Sequence, residues 1–171
     1  MRVLGIDPGS RLTGWGVVEL AGAGFHHVES GTLTLPTVGG LGGRLAHLHA
    51  ECGRLIARFV PAAVVLERAF LARNVQSAFR LGEARGAVLA AVAGAGVVLH
   101  EYTPAEVKVA TVGYGRADKD AMMRGVAMRL GLAEPPRPDA ADALALALCH
   151  LHRAPLLARV TRALARDGSR R

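Results

Sequence analysis

Cysteine is scarce: Cys52 and Cys149 are the only two in 171 residues. Two cysteines supply neither a disulfide framework nor a Cys-rich zinc site, so a reduced, cytoplasmic setting is the simplest expectation. Lysine is equally rare. Of 21 basic side chains, 19 are arginine, and only Lys108 and Lys119 are lysine. Long apolar runs are missing too. Gly86–Leu99 is 14 residues rich in alanine and glycine, short of the roughly 18 that a membrane span needs, and no membrane association is expected. Arg2–Asp7 is too short and too quickly broken by charge to serve as a targeting segment. There is no internal repeat, no glycine-rich phosphate loop, and no serine or cysteine in a convincing nucleophilic triad. What is present is 51% apolar and 20% charged. That balance argues against disorder of the whole chain and fits a single domain with a real core.

The formal charge is +7. A basic domain raises the expectation of a polyanionic partner without specifying fold or chemistry. The charge is unevenly placed. Residues 153–171 hold six arginines and one acid, a net of +5, while residues 1–152 hold 15 basic and 13 acidic side chains, a net of +2. Residues 1–152 therefore read as the folded body and 153–171 as a basic C-terminal tail.

Apolar patterning gives the elements. Val3–Asp7 reads as a buried strand ending at an Asp-Pro-Gly-Ser turn. Gly14–Leu20 and His26–Leu35 follow as further strands, an antiparallel meander. Leu41, Leu45, Leu48, Cys52, Leu55, Ile56 and Phe59 recur at spacings of three and four, so 41–60 reads as an amphipathic helix closed by Pro61. Ala62–Glu67 is a continuous apolar strand with an acid at its end, the pattern of a central strand covered on both faces. A helix over about 74–93, a strand over 97–101, and helices from Thr103-Pro104, over 118–130 and over 139–151 complete the chain. The order β-β-β-α-β-α-β-α-α-α predicts an α/β mixed sheet with helices packed on it.

Four acids stand at element ends. Asp7 and Glu67 close apolar strands, where ligands of open α/β sheets gather. Asp139 and Asp142 are three apart at the start of an Ala-Leu helix, which places both on one helix face. Each has a plainer reading alone: Asp7 as a turn residue, Glu67 as an ion-pair partner of Arg68, Asp139 as a helix cap, and Asp142 as a first-turn acid favoured by the dipole. As a set in an apolar context they repel one another unless a cation neutralises them. An oxygen-only donor set suits Mg²⁺ or Mn²⁺.

Four segments carry a resemblance. Leu-Gly-Ile-Asp-Pro-Gly-Ser-Arg-Leu-Thr-Gly-Trp-Gly (4–16) resembles the opening of the RuvC-type Holliday-junction resolvases. So does Leu-Glu-Arg-Ala-Phe-Leu-Ala-Arg-Asn-Val-Gln-Ser-Ala-Phe-Arg-Leu-Gly-Glu-Ala-Arg-Gly (66–86). Glu-Tyr-Thr-Pro-Ala-Glu-Val-Lys (101–108) and Asp-Ala-Ala-Asp-Ala-Leu-Ala (139–145) complete the match, in order and at matching spacing. The similarity runs from Met1 to about His152. It implies an RNase H-like fold, a five-stranded mixed sheet flanked by helices. It also implies a homodimer that cuts two strands of four-way junction DNA symmetrically, working with the RuvA–RuvB branch-migration complex. Asp7, Glu67, Asp139 and Asp142 match the family's metal-binding carboxylates. Some members carry histidine where Asp139 stands, so this chain resembles the all-carboxylate version. Two Mg²⁺ ions roughly 4 Å apart, with Mn²⁺ as an alternative, would then flank one phosphodiester, with Asp7 as the expected bridge. The products implied are a 5′-phosphate and a 3′-hydroxyl.

The same resemblance singles out DNA-facing residues. Lys108 and Lys119 match family lysines near the cleft and suit charge stabilisation at a scissile phosphate, against the plainer reading of solvated helix lysines. Phe70, three residues past Glu67, suits stacking on an unpaired base at the crossover, against a core role. Arg73 and Asn74 follow as phosphate or base contacts, and Arg68, Arg80, Arg85 and Arg116 as further phosphate candidates. Of the histidines, His26, His27, His47 and His49 read as surface or helix-face residues. His150 and His152 fall at least two turns from Asp142. Trp15 reads as core. The Ala- and Gly-rich 74–93 helix offers a dimer surface, and a buried core face fits the same residues. The tail, with Leu156, Leu157, Val160 and Leu164 on one side and Arg159, Arg162 and Arg166 interleaved, reads as disordered or loosely packed.

Three other readings compete. An ATPase or sugar-kinase-type enzyme shares an Asp-x-Gly turn after the first strand, but it normally needs two such domains, and nucleotide turnover would reveal it. A non-catalytic junction-binding module would make the four acids dispensable. An RNase H-like nuclease acting on RNA or flaps would differ only in substrate.

Overall fold

The computed structural model describes residues 1–22, 24–68 and 75–168, with side chains as far as Ala154. The chain starts as a meander: β1 (Arg2–Asp7), β2 (Leu12–Ala21) and β3 (Gly24–Thr34) pair antiparallel in succession. Helix α1 (Gly40–Phe59) buries Leu48, Cys52, Leu55, Ile56 and Phe59 and stops at Val60, in the left-handed region (φ 45°) just before Pro61. Then β4 (Ala63–Glu67) enters parallel to β1, α2 (Val75–Gly94) crosses back, and β5 (Val98–Tyr102) pairs parallel to β4. Three helices follow: α3 (Pro104–Val112), α4 (Lys119–Leu130) and α5 (Pro138–Gly168). The sheet order is β3-β2-β1-β4-β5. It is the five-stranded mixed sheet and the element order that the patterning predicts, with β1 at the centre.

Strand alternation divides the core into two layers. Leu4 and Ile6 of β1, Trp15 and Val17 of β2, and Val64 and Leu66 of β4 pack with α1 and α2. Val3, Val18 and Val65 point the other way, into a cluster with α3, α4 and α5. By the same parity Asp7 and Glu67, the last residues of their strands, emerge on the α5 side.

That side is held unusually close. A Cβ at Gly5 would stand 1.9 Å from the Ala143 carbonyl oxygen of α5. One at Gly14 would stand 1.9 Å from the Asp139 carbonyl oxygen, and one at Gly16 would stand 2.6 Å from Leu144 Cγ. Glycine at positions 5 and 14 lets helix backbone lie on strand backbone, and glycine at 16 makes room for the Leu144 side chain.

The last helix departs from expectation. It does not end near Leu151 but runs to Gly168, so the segment read as a loosely packed tail continues α5. Its alanine, leucine and arginine content favours helix, and Arg153 is tied to the body by an ion pair to Glu106 (3.1 Å). The side chains of Leu156, Leu157, Val160, Leu164, Arg159, Arg162 and Arg166 lie outside the described residues.

Candidate active site

Each acid is delivered by a different local device. Asp7 ends the central strand, opposite Gly14 in the β1–β2 register. Glu67 ends β4, whose register sets Leu66 beside Ile6. Asp139 does not cap α5 as one reading allowed. Pro138 is the first helical residue, so Asp139 lies inside the first turn, and its carbonyl rests on Gly14. Asp142 follows one turn on. Gly14 is thus both the strand partner of Asp7 and the seat of Asp139.

The electrostatics show how close the four stand. Asp7 is pushed up to about 7, first by burial and then by the charges of Asp142, Glu67 and Asp139, with Lys119 pulling back. Burial also holds Glu67 above the usual carboxylate range. Asp142 adds to that, while Lys108 and Arg85 oppose it. For Asp142, burial raises the carboxyl, Lys119 lowers it and Asp139 raises it.

Lys119 owes its place to a cap. The Asp118 carboxylate accepts from the Ala121 N–H at 2.7 Å, which makes Lys119 the first residue of α4. Its Nζ stands 3.8 Å from Asp142 Oδ2, a loose pair that leaves the ammonium able to turn to another anion. Lys108 rides on α3, which starts at Thr103-Pro104 as the sequence predicts and is further fixed by a capping box between Thr103 and Glu106. Helices α3 and α4 close on each other through Gly125, where a Cβ would meet Val112 at 2.4 Å, and through an Arg129 Nε donation to the Thr111 carbonyl at 2.6 Å. The result is a cleft of about 230 Å³ lined by Glu67, Lys108, Lys119 and Asp142, with Val107 and Met122 in its wall.

Among the described residues, no three acidic, histidine or cysteine side chains stand close enough to share an ion as placed. Glu67 and Asp142 line the cleft, and Asp7 lies near enough to feel their charges and that of Asp139. Their chemistry still fits hard divalent cations: oxygen donors only, mutually repelling, with Asp7 costly to ionise unless a cation lies beside it.

Several other residues now have places. Phe70, Arg73 and Asn74 lie outside the described residues. Arg68 and Arg116 are exposed. Arg85, read as a phosphate contact, is instead a brace: it donates to the Glu67 carbonyl at 2.5 Å and pairs with Glu101. The charge of Arg85 and the acid of β5 were visible in sequence, but their meeting depends on the β4–β5 pairing. Trp15 is core, its ring 5.7 Å from that of Phe59. His150 is buried, bonded to the Tyr102 hydroxyl at 2.9 Å and lowered to about 4 by burial and His100. It is a neutral packing histidine. The glycines that seat α5 were missed, although Gly5, Gly14 and Gly16 all fall inside strand patterns, where a glycine signals close backbone approach.

The family model for crossover junction endodeoxyribonuclease RuvC matches residues 3–150. The crossover junction endodeoxyribonuclease RuvC of Alkalilimnicola ehrlichii is 51% identical over 162 residues, 95% of this chain and 98% of that protein. The one from Sorangium cellulosum is 47% identical over 169 residues, 99% and 92% of the two chains. Among solved structures, Thermus thermophilus RuvC superposes with a TM-score of 0.82 at 39% identity, covering 91% of this chain and 96% of that one. The same protein in complex with Holliday junction substrate gives 0.83 at 35% identity, with the same coverage.

Proposed function

The chain belongs to the RuvC family of crossover junction endodeoxyribonucleases, and from that we infer that it is a Holliday-junction resolvase of RNase H-like fold. It is a metal-dependent endonuclease that hydrolyses DNA phosphodiesters at four-way junctions in recombination and repair. The observation that carries this reading is a cleft lined by Glu67, Asp142, Lys108 and Lys119, beside a buried Asp7 whose carboxyl is pushed up to about 7 by burial first and then by the charges of Asp142, Glu67 and Asp139.

In this reading Asp7, Glu67, Asp139 and Asp142 would hold divalent cations, two Mg²⁺ ions with Mn²⁺ as the alternative, Asp7 contributing from the end of the central strand. Divalent cations supply an activated water and charge neutralisation at the leaving 3′ oxygen. The chain's own residues do the rest. Asp7 and Glu67, fixed by the sheet, orient the donor set. Asp139 and Asp142, fixed by α5, face them. Lys119 swings from Asp142 to a non-bridging phosphate oxygen and stabilises charge there, and Lys108 anchors the same strand on the opposite wall. Phe70, Arg73 and Asn74 follow Glu67 closely in sequence and suit contact with unpaired bases and phosphates at the crossover. Cleavage leaves a 5′-phosphate and a 3′-hydroxyl.

Symmetric incision needs two sites, and a homodimer supplies them. The outer face of α2 suits that role: Phe79 is 69% exposed, and Gly82 and Gly86 leave open space where side chains would stand. The catalytic unit is 1–152, followed by the basic segment 153–171, of which α5 takes in residues as far as Gly168. The RuvA–RuvB complex is the expected loading partner. No helix among the described residues is long and apolar enough to cross a membrane, and the cytoplasm is the proposed compartment.

The test is a cleavage assay comparing a synthetic four-way junction with linear duplex, with and without Mg²⁺. Paired incisions of the junction alone, only with the cation, are expected. Equal cutting of linear duplex would point to another substrate class.

A further inference from the structure

A second cleft, of about 170 Å³, opens on the other side of the sheet, between the turn after β1, the end of β3, and helices α1 and α2. Three guanidiniums line it: Arg11 from the turn, Arg44 from α1 and Arg80 from α2. Glu83 is its only acid, so the lining carries a net +2. None of the three arginines is in an ion pair among the described residues, in a protein where five other arginines are. Unpaired like charges brought together repel, and an anion between them relieves this.

Its place says which anion. Arg11 is four residues beyond Asp7 and its backbone is pinned: its carbonyl accepts from the Leu35 N–H at 2.9 Å. The intervening turn is tight, since a Cβ at Gly9 would meet the Leu12 carbonyl oxygen at 2.1 Å. Four residues span at most about 14 Å, or about four nucleotides at about 3.4 Å each along a strand. Both clefts open at the same edge of the sheet, because the register sets Asp7 opposite Gly14 and Leu12 opposite Thr34. We infer that the Arg11–Arg44–Arg80 cleft binds backbone phosphodiesters of the same junction, within about four nucleotides of the scissile phosphate, and so holds DNA across the sheet edge. The inference rests on the resolvase reading above.

The experiment is the salt dependence of junction binding by the full chain and by the triple variant Arg11→Gln/Arg44→Gln/Arg80→Gln. The slope of log K against log salt should fall by about 2.7 in the variant if each arginine neutralises one phosphate, at about 0.9 for each phosphate no longer neutralised. The triple Arg→Lys variant should keep the wild-type slope. A second arm needs no variant: neutral methylphosphonates within four nucleotides of the cut should lower the wild-type slope, and the same substitutions ten nucleotides away should not. An unchanged slope in both arms, with the wild-type protein still cleaving the junction, overturns this inference alone. Absence of junction cleavage by the wild-type protein would instead overturn the reading it rests on.

Discussion

The two faces of β1 solve different problems with alternate residues. On the α1–α2 face, Leu4 and Ile6 meet Trp15, Leu48 and other large apolar side chains, and the helices stand off at the distance those side chains set. On the α5 face, Gly5 lies between Val3 and Asp7, and helix backbone comes down onto strand backbone. The first face contributes hydrophobic stability, roughly in proportion to the area buried. The second converts close packing into placement, bringing Asp139 and Asp142 to Asp7 at the cost of carboxylate repulsion. Stability and the geometry of the proposed site are thus carried by neighbouring residues of one strand, pointing in opposite directions.

The contrast can be broken from either side. After the loss of the Asp7 carboxylate itself, the largest effect is expected at Lys119. Lys119→Ala should slow single-turnover junction cleavage by about 10²–10³, the loss typical of one charge-stabilising donor, while junction affinity changes far less. Equal losses in rate and affinity would reduce Lys119 to a phosphate anchor. Next is the seat of α5. Gly14→Ala forces the Asp139 turn away from the sheet, and a displacement near 1 Å should lower cleavage by about 10² with junction binding retained. On the opposite face, Leu48→Ala should cost about 2–5 kcal/mol of stability in denaturant melts and leave the cleavage rate intact below the melting range. If Leu48→Ala lowered cleavage as much as Gly14→Ala, the division between the faces would fail.

The smallest effect is on pH-dependent stability. Asp7 has an ordinary carboxyl value of 3.8 when unfolded and about 7 when folded. The folded state therefore holds the proton more tightly, and its stability falls as pH rises from about 4 to 7, the full penalty being present above 7. His150, lowered to about 4, acts in the opposite sense over about 4 to 6.5. The Asp7 contribution is therefore read as a difference: metal-free Asp7→Asn should gain melting temperature relative to the wild type, more at pH 8 than at pH 4. Mg²⁺ should narrow that gap.

Much of this was legible in the sequence because it is local. The spacings through Leu48, Cys52 and Leu55 specify α1, Thr103-Pro104 starts α3, and the acids stand out because Asp7 and Glu67 end apolar strands. The β3-β2-β1-β4-β5 order, the α5 contact through Gly5, Gly14 and Gly16, and the Arg85 brace are long-range and leave no local pattern. Arg85 looked like any other surface arginine until β4 and β5 were paired. The continuation of α5 past Leu151 was hidden because the arginine-rich segment after it reads locally as a solvated tail, although its alanine, leucine and arginine content favours helix.

Asp7 is proposed as a metal-holding carboxylate and not a structural turn residue. The direct measurement compares Asp7→Asn with the wild type for binding and for Mg²⁺-dependent cleavage of one four-way junction. Retained binding with cleavage abolished is the predicted result; undiminished cleavage by Asp7→Asn would contradict it.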